Sequence, residues 1–395
     1  MKKVVIIGSG LSGLTCAHYI DKSNFNIEIY ESNSSSGGRA QSENINGYIC
    51  DKGFQVLLNN YNEIKKIDIY NDLDLKFFDS GATIYTDNKK FYIYNPIVHP
   101  IKFLSSNIFS VFRIKDIYKI LTNFLIKRKS SVRTSYELMN KNLSQKARDL
   151  FFYPFFKGIF LNESLSNDSK FFIKIFKKFA KGRAGLPSTG MSELPDSIIR
   201  KNDFNIRYKH KLSSIKDNFA YFENGENIRY DIIIFAIPIN AINDILGTSY
   251  KSSYLSNKTL YVSSTQCKLG KSILLVSDNR YHSNSIQCLT NISSDYSKNN
   301  DSLYSISTLN HTVSDQVLLD EFIKICNLDR DTCSIIKSYS IPNSLHRDTL
   351  NINNSNDIFF CGDWSCEPSI DGAMKSGRLV AEKINESAEH NEKRS

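Results

Sequence analysis

Among the 395 residues there is no CxxC pair, no compact cluster of Cys and His, and no internal repeat. The cysteines Cys16, Cys50, Cys267, Cys288, Cys326, Cys333, Cys361 and Cys366 are scattered. That spacing excludes a zinc finger or a thioredoxin-like motif and leads us to expect no metal and reduced, mostly structural thiols. No continuous apolar run approaches the roughly 18 residues that a membrane-spanning helix requires. The opening MKKVVIIGSG has an apolar run too short for an export signal, so a cytoplasmic protein is expected, with peripheral membrane contact left open. The formal charge of +9 is accompanied by no nucleic-acid motif and reads first as a solvated surface in a Lys- and Asn-rich chain. No Ser, His or Cys stands in a recognisable nucleophile motif, so no catalytic residue is assigned.

Hydrophobic residues at 41% and aromatics at 12% supply ample core for two or three domains. Val4 to Ile7 is a short run of β-branched residues closed by Gly8-Ser9-Gly10, which reads as a buried parallel strand. Leu11 to Asp21 follows as a helix and Asn26 to Glu31 as a second strand, completing a βαβ unit. In that setting Gly8-Ser9-Gly10-Leu11-Ser12-Gly13 is a GxGxxG phosphate loop. Gly8 serves the tight turn, Gly10 lets backbone approach a pyrophosphate, Gly13 lets helix and strand pack, and the helix N-terminus offers N–H groups. Glu31 ends the second strand where a carboxylate accepts from ribose hydroxyls. These residues suit NAD and FAD equally.

Further along, residues 96–181 turn aromatic, Ile-rich and Lys-rich, with helical spacing in Ile114 to Lys129 and Phe171 to Phe179, and read as a helical insertion. Phe151 to Leu161 reads as core packing first. Short strands and turns follow from Ile206 to Phe235, with Asn224-Gly225 as a hairpin signal. Residues 251–349 alternate strands and Ser/Asn-rich loops around a helix near Val317 to Cys326. Ile358 to Cys361 is the last strand and Gly372 to Asn385 the last helix.

The glycine loop, the acidic strand end, Gly37-Gly38-Arg39 and the distant Phe359-Phe360-Cys361-Gly362-Asp363-Trp364 with Pro368-Ser369-Ile370-Asp371-Gly372-Ala373 together resemble the superfamily of flavin amine oxidases, phytoene desaturases and protoporphyrinogen oxidases. Gly185-Leu186-Pro187, Gly190-Met191 and Leu194-Pro195 are similar to that superfamily's PxxGMxxLP segment. The resemblance moves the cofactor from NAD to FAD. It implies an α/β fold: a Rossmann-type, glutathione-reductase-like FAD-binding domain with a discontinuous α+β substrate domain. The expected divisions are residues 1–60, 186–250 and 350–385 for FAD, 61–185 and 251–349 for substrate, and 386–395 as a disordered tail.

On the same resemblance the FAD contacts are Gly8, Ser9, Gly10, Ser12, Gly13, Glu31, Gly38, Arg39, Gln55, Leu212, Gly362, Asp363, Ile370 and Ala373. The last helix is expected to aim its N-terminus at the flavin, where its dipole would stabilise charge gained on reduction. Leu212 is expected to hold adenine through its backbone. The place of an amine oxidase's cage aromatic is taken by Cys366, with Trp364 two residues before it as a substitute. The expected reaction is therefore dehydrogenation, or redox-assisted isomerisation, of a lipophilic small molecule such as a polyene or porphyrinogen. The alternatives are an amine oxidase that releases hydrogen peroxide and a non-catalytic binder of prenylated partners; intact phosphate-binding glycines speak against the binder. Oligomeric state and electron acceptor are not readable.

Overall fold

The computed structural model describes residues 1–126, 132–355 and 357–392. Five parallel strands make the first sheet, in the order Asn205–Arg207, Phe25–Tyr30, Lys2–Ile7, Ile232–Phe235 and Ile358–Phe360. Its central strands are apolar on both sides because both faces are covered, the condition for a parallel sheet. Val4, Ile6, Ile232 and Ile234 point into one cluster, Val5, Ile7, Ile233 and Phe235 into another. Each fully buried side chain of this size contributes about 1.5–3 kcal/mol.

The first face is covered by the helices Leu11–Tyr19, Glu193–Arg200 and Ile370–Glu392. The first and last of these cross so closely that a Cβ on Gly377 would lie 2.1 Å from the Ser12 carbonyl oxygen. The other face carries a three-stranded antiparallel sheet (Leu212–Lys216, Phe219–Phe222, Asn227–Arg229) and the helix Ile239–Leu246.

A second sheet of seven strands runs Cys333–His346, Tyr254–Ser264, Ser302–Thr308, Ser285–Cys288, Ile273–Val276, Gly81–Thr86, Lys89–Tyr94. All neighbours are antiparallel except Ile273–Val276 with Gly81–Thr86. The helix Asp315–Cys326 packs its Leu318 and Phe322 on one face, against Tyr304 and Ile306. The opposite face is turned toward the nucleotide half: Tyr261 donates to the carbonyl of Asp51, and the Phe54 N–H donates to Thr259 Oγ1.

Between residues 100 and 126 and between 132 and 181 the described secondary structure is mainly helical, including Tyr153–Phe160 and Ser169–Lys181. Phe124, Phe152, Phe156, Phe160 and Phe172 are at most 1% exposed, so the Phe151 to Leu161 segment is core, as its composition predicts. Ile84 and Ile93 of the seven-stranded sheet join the same cluster.

Two expected helices differ. Ile114–Lys119 is α-helical and continues as a π-helix over Ile120–Ile126; residues 127–129 lie outside the described residues. The last helix runs Ile370–Glu392, so residues 386–392 of the expected tail are helical rather than disordered, and 393–395 lie outside the described residues. The extension is held because Ala388 packs on the core cluster and Asn385 Nδ2 donates to the Tyr19 carbonyl.

Candidate functional site

The glycine loop folds as its spacing requires. Gly8 has φ +101, and a Cβ there would lie 2.7 Å from the Ala236 carbonyl oxygen; a Cβ on Gly13 would lie 2.0 Å from the Gly8 carbonyl oxygen. Those two glycines are fixed by protein packing. Gly10 is different: a Cβ there would meet only the Cα of Gly38, at 4.0 Å, and one on Gly38 only the Cα of Gly10, at 3.4 Å. The Gly37 N–H donates to the Ser9 carbonyl at 2.9 Å, which holds the two glycine segments face to face. Backbone with open space beside it, at the N-terminus of the Leu11–Tyr19 helix, fits the pyrophosphate of a dinucleotide. Ser12 sits inside this helix's first turn and is buried, with its carbonyl oxygen at the crossing with Gly377.

Glu31 lies at one end of the groove and is 5% exposed. Its Oε2 accepts from the Ser9 N–H and hydroxyl at 2.9 and 2.8 Å. Its Oε1 accepts from the Asn33 backbone and amide at 2.9 and 2.8 Å and from Ser32 at 3.2 Å. Ribose hydroxyls of a bound dinucleotide would have to displace the rotatable Ser9, Ser32 and Asn33 side chains to reach this carboxylate. Burial pushes the Glu31 carboxyl up, but the donors from Asn33 and Ser9 outweigh it and hold it below the usual range.

Linkage gives the sign: a depressed native pKa stabilises above the unfolded value, about 4.3 for Glu, and that stability is lost as pH falls through the native value. The melting temperature of the wild type is therefore expected to fall more steeply below about pH 4 than that of Glu31→Gln. Parallel slopes in thermal melts from pH 5 to 3 would remove Glu31 as a carrier of this stability.

In the middle of the groove, Arg39 Nη1 and Nη2 grip Asp363 at 3.0 and 2.6 Å, and Nη1 also donates to the Ser344 carbonyl. Asp363 is 3% exposed while the Arg39 side chain is 41% exposed, so the guanidinium rim faces solvent over a buried acid. Gln55 Nε2 donates to the Arg39 carbonyl at 2.8 Å. Gly362 is extended, and its N–H donates to Ser376 Oγ on the last helix. Leu212 is buried next to Tyr30, beyond Glu31, whose carbonyl accepts from the His210 N–H.

At the other end, Ile370 and Ala373 occupy the first turn of the last helix, partly buried on the core below. Asp371 in the same turn accepts from Lys178 at 2.5 Å and from the Glu63 N–H at 3.0 Å. Lys174 grips Glu367 at 2.5 and 2.6 Å. Two lysines of the Ser169–Lys181 helix thus clamp the insertion onto this end of the groove. The structure brings Gly8, Ser9, Gly10, Gly13, Glu31, Gly38, Arg39, Gln55, Gly362 and Asp363 into one connected hydrogen-bonded or packed series.

Trp364 does not serve as a cage aromatic. It is 1% exposed, lies in the core cluster against the parallel sheet, and donates its indole N–H to the Ile237 carbonyl. The sequence reading also missed Asn33, whose place two residues after an acid is the usual signal of a side-chain-capped turn, and the buried Asp51. The latter accepts from Ser42, Met191 N–H and Tyr296 at 2.6, 2.8 and 2.9 Å, and burial raises its carboxyl despite those donors.

A cavity of about 420 Å³ opens beside Ser34 to Ser36 and is lined by hydroxyls and charges, including Glu43, Lys52 and Asp196. It excludes the glycines and Arg39, and its lining suits water. Among the described residues no metal-ligand cluster occurs, and no helix is long and apolar enough to cross a membrane.

The family model described as flavin containing amine oxidoreductase matches residues 11–257. Protoporphyrinogen oxidase 2, chloroplastic/mitochondrial, of Arabidopsis thaliana is 25% identical over 170 residues, 40% of this chain and 32% of that protein. Coproporphyrinogen III oxidase of Staphylococcus aureus is 26% identical over 171 residues, 42% of this chain and 34% of that protein. The matched stretch thus covers about a third of those relatives' own length. A crystal structure of an oxidoreductase from Methanosarcina mazei superposes with a TM-score of 0.77 at 15% identity, covering 96% of this chain and 100% of that one, which shows a shared fold.

Proposed function

This chain belongs to the flavin-containing amine oxidoreductase family, and we propose that it dehydrogenates or isomerises a lipophilic substrate, a porphyrinogen or a polyene, that it takes from an anionic membrane surface. The family's cofactor is FAD, which when bound supplies the hydride acceptor. The residues suited to holding it are Gly10 and Gly38 at the pyrophosphate, Glu31 at the ribose, and Arg39 with Asp363 further along.

The observation that carries the lipophilic reading is where the apolar surface lies. Ten of the seventeen large apolar side chains exposed among the described residues fall within residues 97–136, with Ile101, Ile114 and Ile126 at 83%, 75% and 72%. Exposed apolar surface concentrated in this way marks an interaction site rather than an ordinary surface. Its charge is of one sign. Lys102, Arg113 and Lys115 are exposed on it, while Asp116, the one acid in residues 97–126, is buried and spent on the Arg113 and Ser144 N–H groups. Apolar side chains among cations match an anionic lipid headgroup layer. The amine-oxidising alternative loses its cage aromatic with the burial of Trp364.

The test uses the flavin-loaded protein. We expect it to float with vesicles containing phosphatidylserine and to stay behind with phosphatidylcholine alone, and an Ile101→Asp, Ile114→Asp, Ile126→Asp variant to stop floating. Anaerobic bleaching of the flavin by vesicle-borne porphyrinogens or polyenes is the expected chemical result. Bleaching by simple amines and not by either lipophile would overturn the proposal.

A further inference from the structure

The face of the seven-stranded sheet turned toward the nucleotide half carries a feature that the proposed hydride chemistry does not use. Pairing registers set Thr259 opposite Ser307 and Ser307 opposite Ser285, and in the next row Tyr261 opposite Ser305 and Ser305 opposite Gln287. Side chains directly paired across strands share a face. Six hydroxyl and amide side chains therefore form one patch over three strands. The alternate residues Leu260, Ile306 and Ile286 are all apolar and lie under the Asp315–Cys326 helix, so polarity is confined to the inner face.

Thr259, Tyr261, Ser305 and the amide oxygen of Gln287 are engaged within the protein. Thr259 accepts from the Phe54 N–H, Tyr261 donates to the Asp51 carbonyl, and Ser305 donates to Gln287 Oε1 at 2.7 Å. Two buried atoms of the patch have no partner. Gln287 is 0% exposed, yet its Nε2 has no hydrogen-bond partner, and neither does the buried Ser307 hydroxyl. They belong to adjacent strands in adjacent rows, within reach of one common ligand. Buried donors without partners are rare and call for an explanation. On one side the Thr259 row continues through Leu275 to Ile84, which packs into the phenylalanine cluster of the insertion. The polar patch thus borders an apolar wall.

We infer that Gln287 and Ser307 form a polar subsite that binds an oxygen acceptor, a carboxylate or carbonyl, carried by an otherwise lipophilic ligand. The inference rests on the lipophilic-substrate reading and narrows it: a plain hydrocarbon leaves both atoms unpaired, whereas an acid-bearing molecule pairs them. Gln287 and Ser307 are specificity residues, with no proton or hydride moved by either.

The probes are matched pairs: a tetracarboxylate porphyrin against the same macrocycle with only ethyl groups, and a polyene acid against its hydrocarbon. Binding is read from the shift of the bound flavin's spectrum in the holoenzyme. The wild type should prefer the acid-bearing member by at least about tenfold, and Gln287→Met and Ser307→Ala should each shrink that preference toward about twofold while binding the acid-free member no worse. Met keeps the volume of Gln, and unchanged flavin content and melting temperature certify the fold. An undiminished preference in both variants overturns the subsite and leaves the two atoms to buried water. If no lipophile binds at all, the membrane-substrate reading fails, and octanoate then interrogates the subsite alone. A spectral shift in wild type that is lost in Gln287→Met supports it, and no shift overturns it.

Discussion

Gly10→Val is expected to give a protein that folds and melts like the wild type without cofactor but no longer retains FAD. The backbone of Gly10 is ordinary, with φ −74 and ψ 178, so a β-branched residue adopts it without strain. The space a side chain would enter is bounded only by the Gly38 Cα. Filling it removes the room for the pyrophosphate, and a loss on the order of 100-fold in FAD affinity follows from displacing charged phosphate from the helix N-terminus. Gly13→Ala is the control of opposite kind. Its Cβ would stand 2.0 Å from the Gly8 carbonyl oxygen, backbone that has nowhere to go, so that variant should fail to fold. FAD-to-protein ratios and melting curves separate the two, and a Gly10→Val protein that purifies yellow and saturated would displace the cofactor from this loop.

Arg39→Ala should be the most damaging single change outside the glycines. It leaves the Asp363 carboxylate buried without the guanidinium that grips it. Removing one partner of a buried pair costs about 3–5 kcal/mol. Because the Arg39 side chain is itself 41% exposed, water screens the pair and lowers the expectation below that range, to about 2–3 kcal/mol. Asp363→Asn in the Arg39→Ala background should recover most of that stability by removing the stranded charge, without restoring FAD affinity. A double-mutant cycle by chemical denaturation measures the coupling, and a coupling near zero would mean that the pair is no anchor of this groove.

What was legible in the sequence was what local backbone rules dictate. The order strand, glycine loop, helix, strand, acid follows from apolar runs and from glycines at positions where any Cβ collides, and it holds to within a residue or two at Leu11–Tyr19 and Phe25–Tyr30. The phenylalanine-rich segment declared itself as core by density alone. Side-chain roles set by distant neighbours were less legible. Trp364 looks like a site aromatic from its position before the last helix, but its environment is made by strands about 130 and more than 350 residues upstream. The Lys174–Glu367 and Lys178–Asp371 clamps join segments 193 residues apart. The polar patch exists only through the registers of three antiparallel strands, which no spacing within one strand reveals. The last helix outran its expected end because tertiary burial of Ala388 extends a stretch whose composition alone suggests fraying.

The parallel sheet also sets a timetable. Its centre, Lys2–Ile7, is synthesised well before Ile232–Phe235 and Ile358–Phe360, the strands that complete that side. At about 5–20 residues per second, the interval between the first strand and the last is roughly 20–70 s. Throughout it one edge of the growing sheet lacks its partner strand, and contacts this distant in sequence are slow to close. Until Ile232–Phe235 arrives, that edge of Lys2–Ile7 is open to pairing with another chain, and slowing translation lengthens the interval in proportion.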